Sequence, residues 1–205
     1  AGRERVGVLD VGGLVTQLSV VHVNAADPAA APSVRATRAL FHLGCEHVDA
    51  ALVRRLADDF RRKEGEGLHV TTDPMALQRL WDAASAARTD LNRVKATDVN
   101  VPFLTADMTG PKHLEVSVTR AQLDAMLDEM HAGLGAAAAE VLAEAGGAAG
   151  VDAVVLVGAG ARIPRLRHHA AAAFGVADGD VLSSDAPEEL VVMGCAAIAR
   201  AEMGR

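Results

Sequence analysis

Aromatic residues are nearly absent from this chain, which has four Phe, one Trp and no Tyr in 205 residues. Half of the residues are nonetheless hydrophobic, and alanine supplies much of that half. A core of alanine and aliphatic side chains gains little free energy of burial per residue, so it depends on close packing between helices. At this length the chain can form one large domain or two small ones with a sizeable core.

Cysteine is also scarce, which argues against a fold held together by disulfides. Cys45 and Cys195 lie far apart and have no Cys-x-x-Cys spacing. We therefore expect two small, buried and reduced thiols and a reducing compartment.

Long hydrophobic runs and an excess of basic charge are missing as well. No apolar run reaches the roughly 18 residues that a membrane span needs, so direct membrane insertion is not expected. The net charge of −7 argues against broad binding to nucleic acid. A local basic face on one predicted helix is interpreted as a solvated helix side. It consists of Arg54, Arg55, Arg61, Arg62 and Lys63.

The first residues do not show the pattern of a signal or transit peptide, so we expect none in this stretch. Its first residue, Ala1, is not an initiator methionine. We therefore expect a processed or trimmed chain.

The spacing of hydrophobic and turn residues predicts strands and helices. N-cap, capping-box and glycine signals mark the helix ends. Strands are predicted at 6–11, 17–23, 34–41, 98–104, 113–118 and 153–157. Helices are predicted over 46–63, from Asp73-Pro74 to 92, from Thr119 to Gly146-Gly147, over 162–174 and from Pro187 to 203.

This order of elements predicts an α/β fold. A base subdomain made of a β meander and helices is expected over 1–44 and 119–205. An inserted subdomain of helices and short strands, with α+β character, is expected over 45–118.

The first hairpin contains a turn that is typical of phosphate binding. Asp10-Val11-Gly12-Gly13 ends one strand, and such glycine turns can hold a phosphate against bare backbone N–H groups. The next two side chains, Leu14 and Val15, are apolar and branched, however. The turn thus has the backbone of a phosphate loop without its polar side chains.

The spacing of the histidines does not indicate a metal site. His42 and His47 flank a turn, and His168 and His169 are adjacent on a predicted helix, so they face different ways. None of the four has zinc-like spacing with the cysteines, and no metal is expected. No Ser/His/Asp or Cys/His arrangement for nucleophilic catalysis is indicated either.

Several ordered segments resemble the ATPase domain of the heat-shock protein 70 family, in its mitochondrial and bacterial branch. The segments are Asp10-Val11-Gly12-Gly13, 43–49, 75–79, 101–104, 110–114, 119–122, 157–164 and 186–196. The resemblance implies an actin-like, ribonuclease H-like ATPase fold of two lobes, of which this chain covers lobe II. The first phosphate loop and the lysine of lobe I would lie outside this chain.

The departures from the family pattern fall on the nucleotide contacts. Leu14 and Val15 replace a glycine and a threonine, Ser85 replaces a glutamate, and Ala159 replaces a glycine. The resemblance leaves a residual nucleotide site that we expect to be non-functional, made of Gly12, Gly13, Glu46, Arg88, Gly158 and Arg162. Each lost polar contact costs on the order of 1 kcal/mol, so several together lower the affinity by orders of magnitude.

The resemblance and its departures lead to a non-catalytic lobe. We expect a structural or interaction subunit of a larger mitochondrial assembly, such as a ribosome or a respiratory complex, on the matrix side. Its partners would be proteins, with no catalytic residues and no cofactor. Two alternatives remain open. The chain could be a fragment of a divergent chaperone that binds and hydrolyses ATP when it is joined to a lobe I. It could also be a docking platform, used as nucleotide-exchange factors use the family it resembles.

Overall fold

The structure is a computed structural model that describes residues 4–27, 30–41, 43–65, 67–147 and 150–203, except the side chains of 201 and 202. Seven strands and six helices follow one another along this part of the chain. In order they are β1 (Arg5–Val11), β2 (Val15–His22), β3 (Ser33–Phe41), α1 (Cys45–Glu64), α2 (Pro74–Leu91), β4 (Ala96–Asp107), β5 (Gly110–Thr119), α3 (Arg120–Met130), α4 (Leu134–Glu144), β6 (Ala153–Val157), α5 (Pro164–Phe174), β7 (Val181–Leu182) and α6 (Leu190–Met203).

The chain forms two compact units. Unit 1 is Ala1–Cys45 with Met130–Arg205, and unit 2 is Glu46–Glu129. Helix α3 therefore lies in unit 2 up to its last residue. The assignment of a base subdomain and an inserted subdomain stays a prediction.

Unit 1 is built on a five-stranded mixed sheet with the order β3-β2-β1-β6-β7. Strands β1, β2 and β3 form the predicted antiparallel meander, whereas β6 pairs with β1 in parallel and places Val157 opposite Asp10. The run 153–157 is confirmed as an interior strand of the sheet, between β1 and β7, and most of its side chains are buried. The carboxyl ends of β1 and β6 consequently meet at one edge of the sheet.

Unit 2 combines two helices with a long hairpin. Asp73 caps α2 as predicted, because its Oδ1 accepts a hydrogen bond of 2.9 Å from the backbone N–H of Met75. The capping box before α3 is also confirmed. The backbone N–H of Thr119 donates to Gln122 Oε1 at 3.0 Å, and the backbone N–H of Gln122 donates to Thr119 Oγ1 at 3.3 Å.

The hairpin of β4 and β5 is longer than predicted and contains a bulge. The register shifts between Val101 and Thr105, and Phe103 adopts a left-handed φ of 52° there. Arg79 of α2 stabilises this strained backbone by donating to the carbonyl oxygens of Pro102, at 2.5 Å, and Phe103, at 2.7 Å.

The single long helix predicted from Thr119 to Gly146 is wrong. The structure breaks it after Met130 and begins α4 at Leu134, with Gly133 at the N-cap. Glycine weakens a helix interior, and the imidazole of His131 is instead buried against His169 of α5, with ring centroids 5.2 Å apart.

Two predicted helix starts also shift toward the carboxyl end. Helix α5 begins at Pro164, because residues 159–162 form a short 3₁₀ turn. Helix α6 begins at Leu190 instead of Pro187. The Pro187 carbonyl accepts a hydrogen bond from the Gly158 N–H at 2.9 Å, and this tertiary contact holds the preceding turn.

The two cysteines differ in exposure. Cys45 is buried and forms no disulfide, as predicted, but Cys195 is exposed. The prediction of two buried thiols is therefore wrong for Cys195, because residues 191–200 of α6, which include it, are all exposed.

None of the helices in the described ranges has both the length and the apolar character that a bilayer crossing demands.

Candidate functional site

The loops that follow β1 and β6 lie at the same edge of the unit 1 sheet. The Gly12-Gly13 turn continues β1, and Gly158 continues β6. Ligands of open α/β sheets bind outside the carboxyl ends of parallel strands. Unit 1 therefore brings four of the six predicted site residues, Gly12, Gly13, Gly158 and Arg162, to the edge at which a ligand is expected.

The backbone of the Gly12-Gly13 turn is engaged in local structure. The Gly12 N–H donates to the Val15 carbonyl at 3.0 Å, and the Gly12 carbonyl accepts from the Cys45 N–H at 2.9 Å. Gly44 packs so tightly on the turn that a Cβ on it would lie 2.0 Å from the Gly13 carbonyl oxygen. The Gly12 amide is thus committed to closing the hairpin.

Leu14 occupies the tip of the same turn. Its side chain is 57% exposed, so it adds little to the core of unit 1. A branched side chain at this position covers space that a glycine would leave open to a phosphate.

Gly158 is required by its own backbone and by the end of β1. Its φ is 85°, and a Cβ would lie 2.5 Å from the Val11 carbonyl oxygen and 2.7 Å from Asp10 Oδ1. Gly160, two residues on, is packed just as closely, since a Cβ there would lie 2.2 Å from Val11 Cγ1. Packing alone accounts for both glycines.

Arg162 is tied to the turn that leads into α6. Its Nη2 and Nε donate to the two carboxylate oxygens of Glu188, at 2.6 and 3.1 Å, and Nη2 also donates to the Asp185 carbonyl at 2.9 Å. The hydrogen bonds from Arg162 hold the pKa of Glu188 below its ordinary value. The two side chains are about two-fifths exposed, so this bidentate pair fixes orientation more than it adds stability.

Asp10 lies at the same edge of the sheet, although it was not among the six predicted site residues. It is the last β1 residue paired with β6, and its Oδ1 lies beside Gly158. Burial raises the pKa of its carboxyl above the ordinary value. An acid directly before a glycine turn is a signal that could have identified it.

The other two predicted site residues belong to unit 2. Glu46 is exposed in the first turn of α1, and its carboxylate makes no hydrogen bond or ion pair within the described ranges. The Arg88 guanidinium of α2 binds Asp49 of α1 in a bidentate pair, with Nε to Oδ1 at 2.6 Å and Nη2 to Oδ2 at 3.2 Å. The two side chains are only 12% and 7% exposed, so this pair is an internal tie of unit 2.

The positions beside Arg88 are likewise occupied by local contacts. Ser85 Oγ lies 3.3 Å from Arg88 Nη2, and the Thr89 hydroxyl donates to the Ser85 carbonyl at 2.9 Å. The hydroxyl groups of Ser85 and Thr89 therefore form their hydrogen bonds within α2, as hydroxyl groups in helices commonly do.

The histidines are spread over separate elements. His47 lies in α1, His168 and His169 lie in α5, and His42 lies outside the described residues. No group of three or more His, Cys, Asp or Glu side chains in the part of the chain that the structure describes could hold a metal ion.

The unit 1 edge offers backbone turns, one bidentate guanidinium and one partly buried carboxyl group. Phosphoryl transfer needs the phosphates and their metal ion to be positioned by several charged groups together. The loss of nucleotide binding at these residues stays a prediction.

A family model described as Hsp70 protein matches residues 2–205. The α/β architecture, with its mixed parallel and antiparallel sheet, is consistent with part of an actin-like ATPase fold. The chain, as a partial domain, belongs to the Hsp70 family.

Proposed function

We propose that this chain is a non-catalytic Hsp70-like lobe II that serves as a structural or interaction subunit of a larger assembly. In this proposal the glycine turns are retained for the fold, while binding and hydrolysis of nucleotide have been lost. The partners are proteins, and no cofactor is needed.

The observation that carries the proposal is the exposure of α6. Every residue from 191 to 200 is exposed, although the helix is strongly apolar. Its large exposed side chains are Val191, Val192, Met193, Ile198 and Met203. Contiguous apolar surface of this kind marks an interaction site.

The free energy that would be gained by covering the exposed side chains of α6 supports a protein partner. Full burial of one such side chain contributes about 1.5–3 kcal/mol, and more than half of each is still exposed. Covering the five would thus contribute several kcal/mol, while micromolar affinity corresponds to about 8 kcal/mol. A partner that covers α6 must therefore contact further surface, as in a standard interface of about 1,600 Å².

Loss of nucleotide binding is supported by the turn at Gly12. Its amide is engaged by the Val15 carbonyl, and Leu14 projects at the tip. Arg88 is held by Asp49, which leaves fewer of its donors for a ligand. Each of these changes removes a contact that would otherwise favour a phosphate or a base.

The identity of the assembly is proposed from the branch of the resemblance. Similarity to mitochondrial and bacterial members favours the mitochondrial matrix, and a ribosome or a respiratory complex is the kind of particle proposed.

One observation favours the alternative of an ATP-binding chaperone fragment. Asp10 and Arg162 both lie near the Gly158 turn, at the ligand-binding edge of the sheet. With a lobe I supplied, these groups could contribute to a nucleotide site. Exposed α6 would then be covered by the remainder of that protein.

Titration calorimetry with ATP and ADP, with and without Mg²⁺, tests the loss of nucleotide binding. We expect no heat of binding at micromolar nucleotide for the isolated chain. The double variant Leu14→Gly/Val15→Thr is the matched comparison, because it restores the family residues at the turn. Micromolar, Mg²⁺-dependent binding by the unmodified chain would contradict the proposal and favour the alternative.

A further inference from the structure

A half-open cavity with a mixed polar and apolar lining lies in unit 2, between α1 and the turn that precedes α2, and its apolar lining residues are Ala57, Leu68 and Val70. Its volume is about 160 Å³. Arg54, Asp58 and Arg61 line it from one face of α1, and His69 and Thr71 line it from the turn. A cavity of about 150 Å³ can hold a benzene-sized ligand, and a phosphate group is smaller than that.

Three side chains of the lining carry hydrogen-bond donors that the chain itself does not use. The guanidinium of Arg54, the ring of His69 and the hydroxyl of Thr71 make no hydrogen bond or ion pair within the described ranges. By contrast, Arg61 is paired with Asp58, which offsets the one negative charge of the lining. The unused groups face one space and are donors that an oxoanion accepts.

Helix electrostatics explain the neighbouring basic residues but not Arg54. Arg61, Arg62 and Lys63 occupy the last turn of α1, where cations stabilise the negative end of the helix dipole. Arg54 lies ten residues before the last helical residue, Glu64, and that effect is confined to the last turn.

The remaining arginines on this face are already paired. Arg55 binds Asp59 at 2.8 Å, and Arg62 binds Asp59 as well. A second, more open depression of about 460 Å³ is lined by Arg55, Asp58, Arg61 and Arg62, so it shares two residues with the cavity. The cavity therefore opens onto a surface on which a ligand could continue beyond its anionic group.

We propose that this cavity is a binding site for a phosphate monoester group, with Arg54 as its principal ligand. His69 and Thr71 donate to the remaining oxygens of the phosphate. The lining carries one net positive charge when His69 is neutral, so the binding is weak, in the millimolar range for inorganic phosphate. The site lies wholly within unit 2 and is independent of the function proposed above.

Calorimetric or NMR titration of the intact chain with inorganic phosphate, at constant ionic strength, tests the site. A charge-assisted hydrogen bond contributes about 1.5–3 kcal/mol, so Arg54→Ala should weaken binding about tenfold or more. Thr71→Val should weaken it less. Arg93→Ala is the matched control, since Arg93 is an exposed arginine of unit 2 outside the cavity lining. Circular dichroism verifies that each variant is folded.

The two sources of the phosphate group are separated by a second titration. A short phosphoserine peptide that binds more tightly than inorganic phosphate, and whose gain is lost in Arg55→Ala, indicates a phosphorylated chain lying over the second depression. Equal affinities indicate a small phosphorylated molecule. The proposal is overturned if Arg54→Ala and Arg93→Ala weaken binding equally, or if the unmodified chain binds no phosphate up to about 10 mM.

Discussion

Helices α5 and α6 are both rich in alanine and both belong to unit 1, yet their burial is opposite. Helix α5 buries Leu166, Ala170, Ala171 and Phe174, although it also carries two arginines and two histidines. Helix α6 is the more apolar of the two, but its residues 191–200 are all exposed. Apolar character alone therefore does not determine which helix is buried within this chain.

The difference lies in what each helix can pack against. Helix α5 contacts α4, β6 and β7, so its apolar face completes the core of unit 1. The Arg162–Glu188 pair and the Gly158–Pro187 hydrogen bond instead hold the turn that leads into α6, while residues 191–200 of the helix are exposed. We infer that α6 is anchored for an external contact.

The largest expected loss of stability comes from a substitution on the buried face of α5. Phe174→Ala removes an aromatic ring that is buried against Gly7 of β1, and it should lower the free energy of unfolding by about 3–5 kcal/mol. Denaturant unfolding monitored by circular dichroism measures the loss. A loss below about 1 kcal/mol would mean that α5 is packed no better than α6.

A smaller loss of stability is expected when a methyl group is added between Gly7 and the ring of Phe174. A Cβ at Gly7 would lie 3.0 Å from ring atoms of Phe174, so Gly7→Ala should cost about 1–3 kcal/mol. The double variant Gly7→Ala/Phe174→Ala should show strong coupling in a double-mutant cycle, because the added methyl then meets a cavity. Additive losses would show that β1 and α5 do not share this contact.

The anchor of α6 should give a small effect that depends on pH. The hydrogen bonds from Arg162 lower the pKa of Glu188 in the folded chain. Its contribution to stability is therefore present above the ordinary glutamate pKa, and it is lost as the pH falls through the lower pKa of the folded state.

Thermal unfolding of the unmodified chain and of Glu188→Gln measures this contribution. The difference in Tm should be positive near pH 7, shrink on acidification and also shrink with added salt, because both side chains are exposed. Glu144→Gln is the matched control, since Glu144 is an exposed glutamate of unit 1 whose side chain makes no hydrogen bond or ion pair in the described part of the chain. A difference in Tm that is unaffected by pH would contradict the assignment to this ion pair.

The smallest effect is expected on α6 itself. Ile198→Ala removes an exposed side chain and should change the free energy of unfolding of the isolated chain by no more than about 0.5 kcal/mol. The same denaturant measurement applies. A loss comparable with that of Phe174→Ala would show that α6 packs on the chain in solution.

Local signals predicted most of the fold. The meander, the buried strand 153–157 and the caps at Asp73 and Thr119 depend on neighbouring residues, so local sequence patterns predict them directly. The break at Gly133, the late start of α6 and the exposure of Cys195 depend on tertiary contacts or on their absence. No local pattern contains that information. The two-residue strand β7 was missed because it is too short for any periodicity.

The candidate site was predictable only in part. The glycines and Arg162 could be located from the resemblance, but the partner of Arg162 could not, because Glu188 lies 26 residues further along the chain. Asp49, the partner of Arg88, lies 39 residues before it in the chain and could not be identified either. Asp10 was part of the predicted phosphate-loop motif, but its place beside Gly158 depends on the pairing of β1 with β6, which no local pattern contains.

Native sizing of the endogenous protein tests the account most directly, by comparing the unmodified chain with Val192→Asp on α6. Met108→Asp is the control, because Met108 is a fully exposed methionine of unit 2. The account predicts that the unmodified chain and the control migrate with a large particle, whereas Val192→Asp migrates as a free, folded chain. A free unmodified chain, or a Val192→Asp variant that stays in the particle, would contradict the claim that α6 joins this lobe to its assembly.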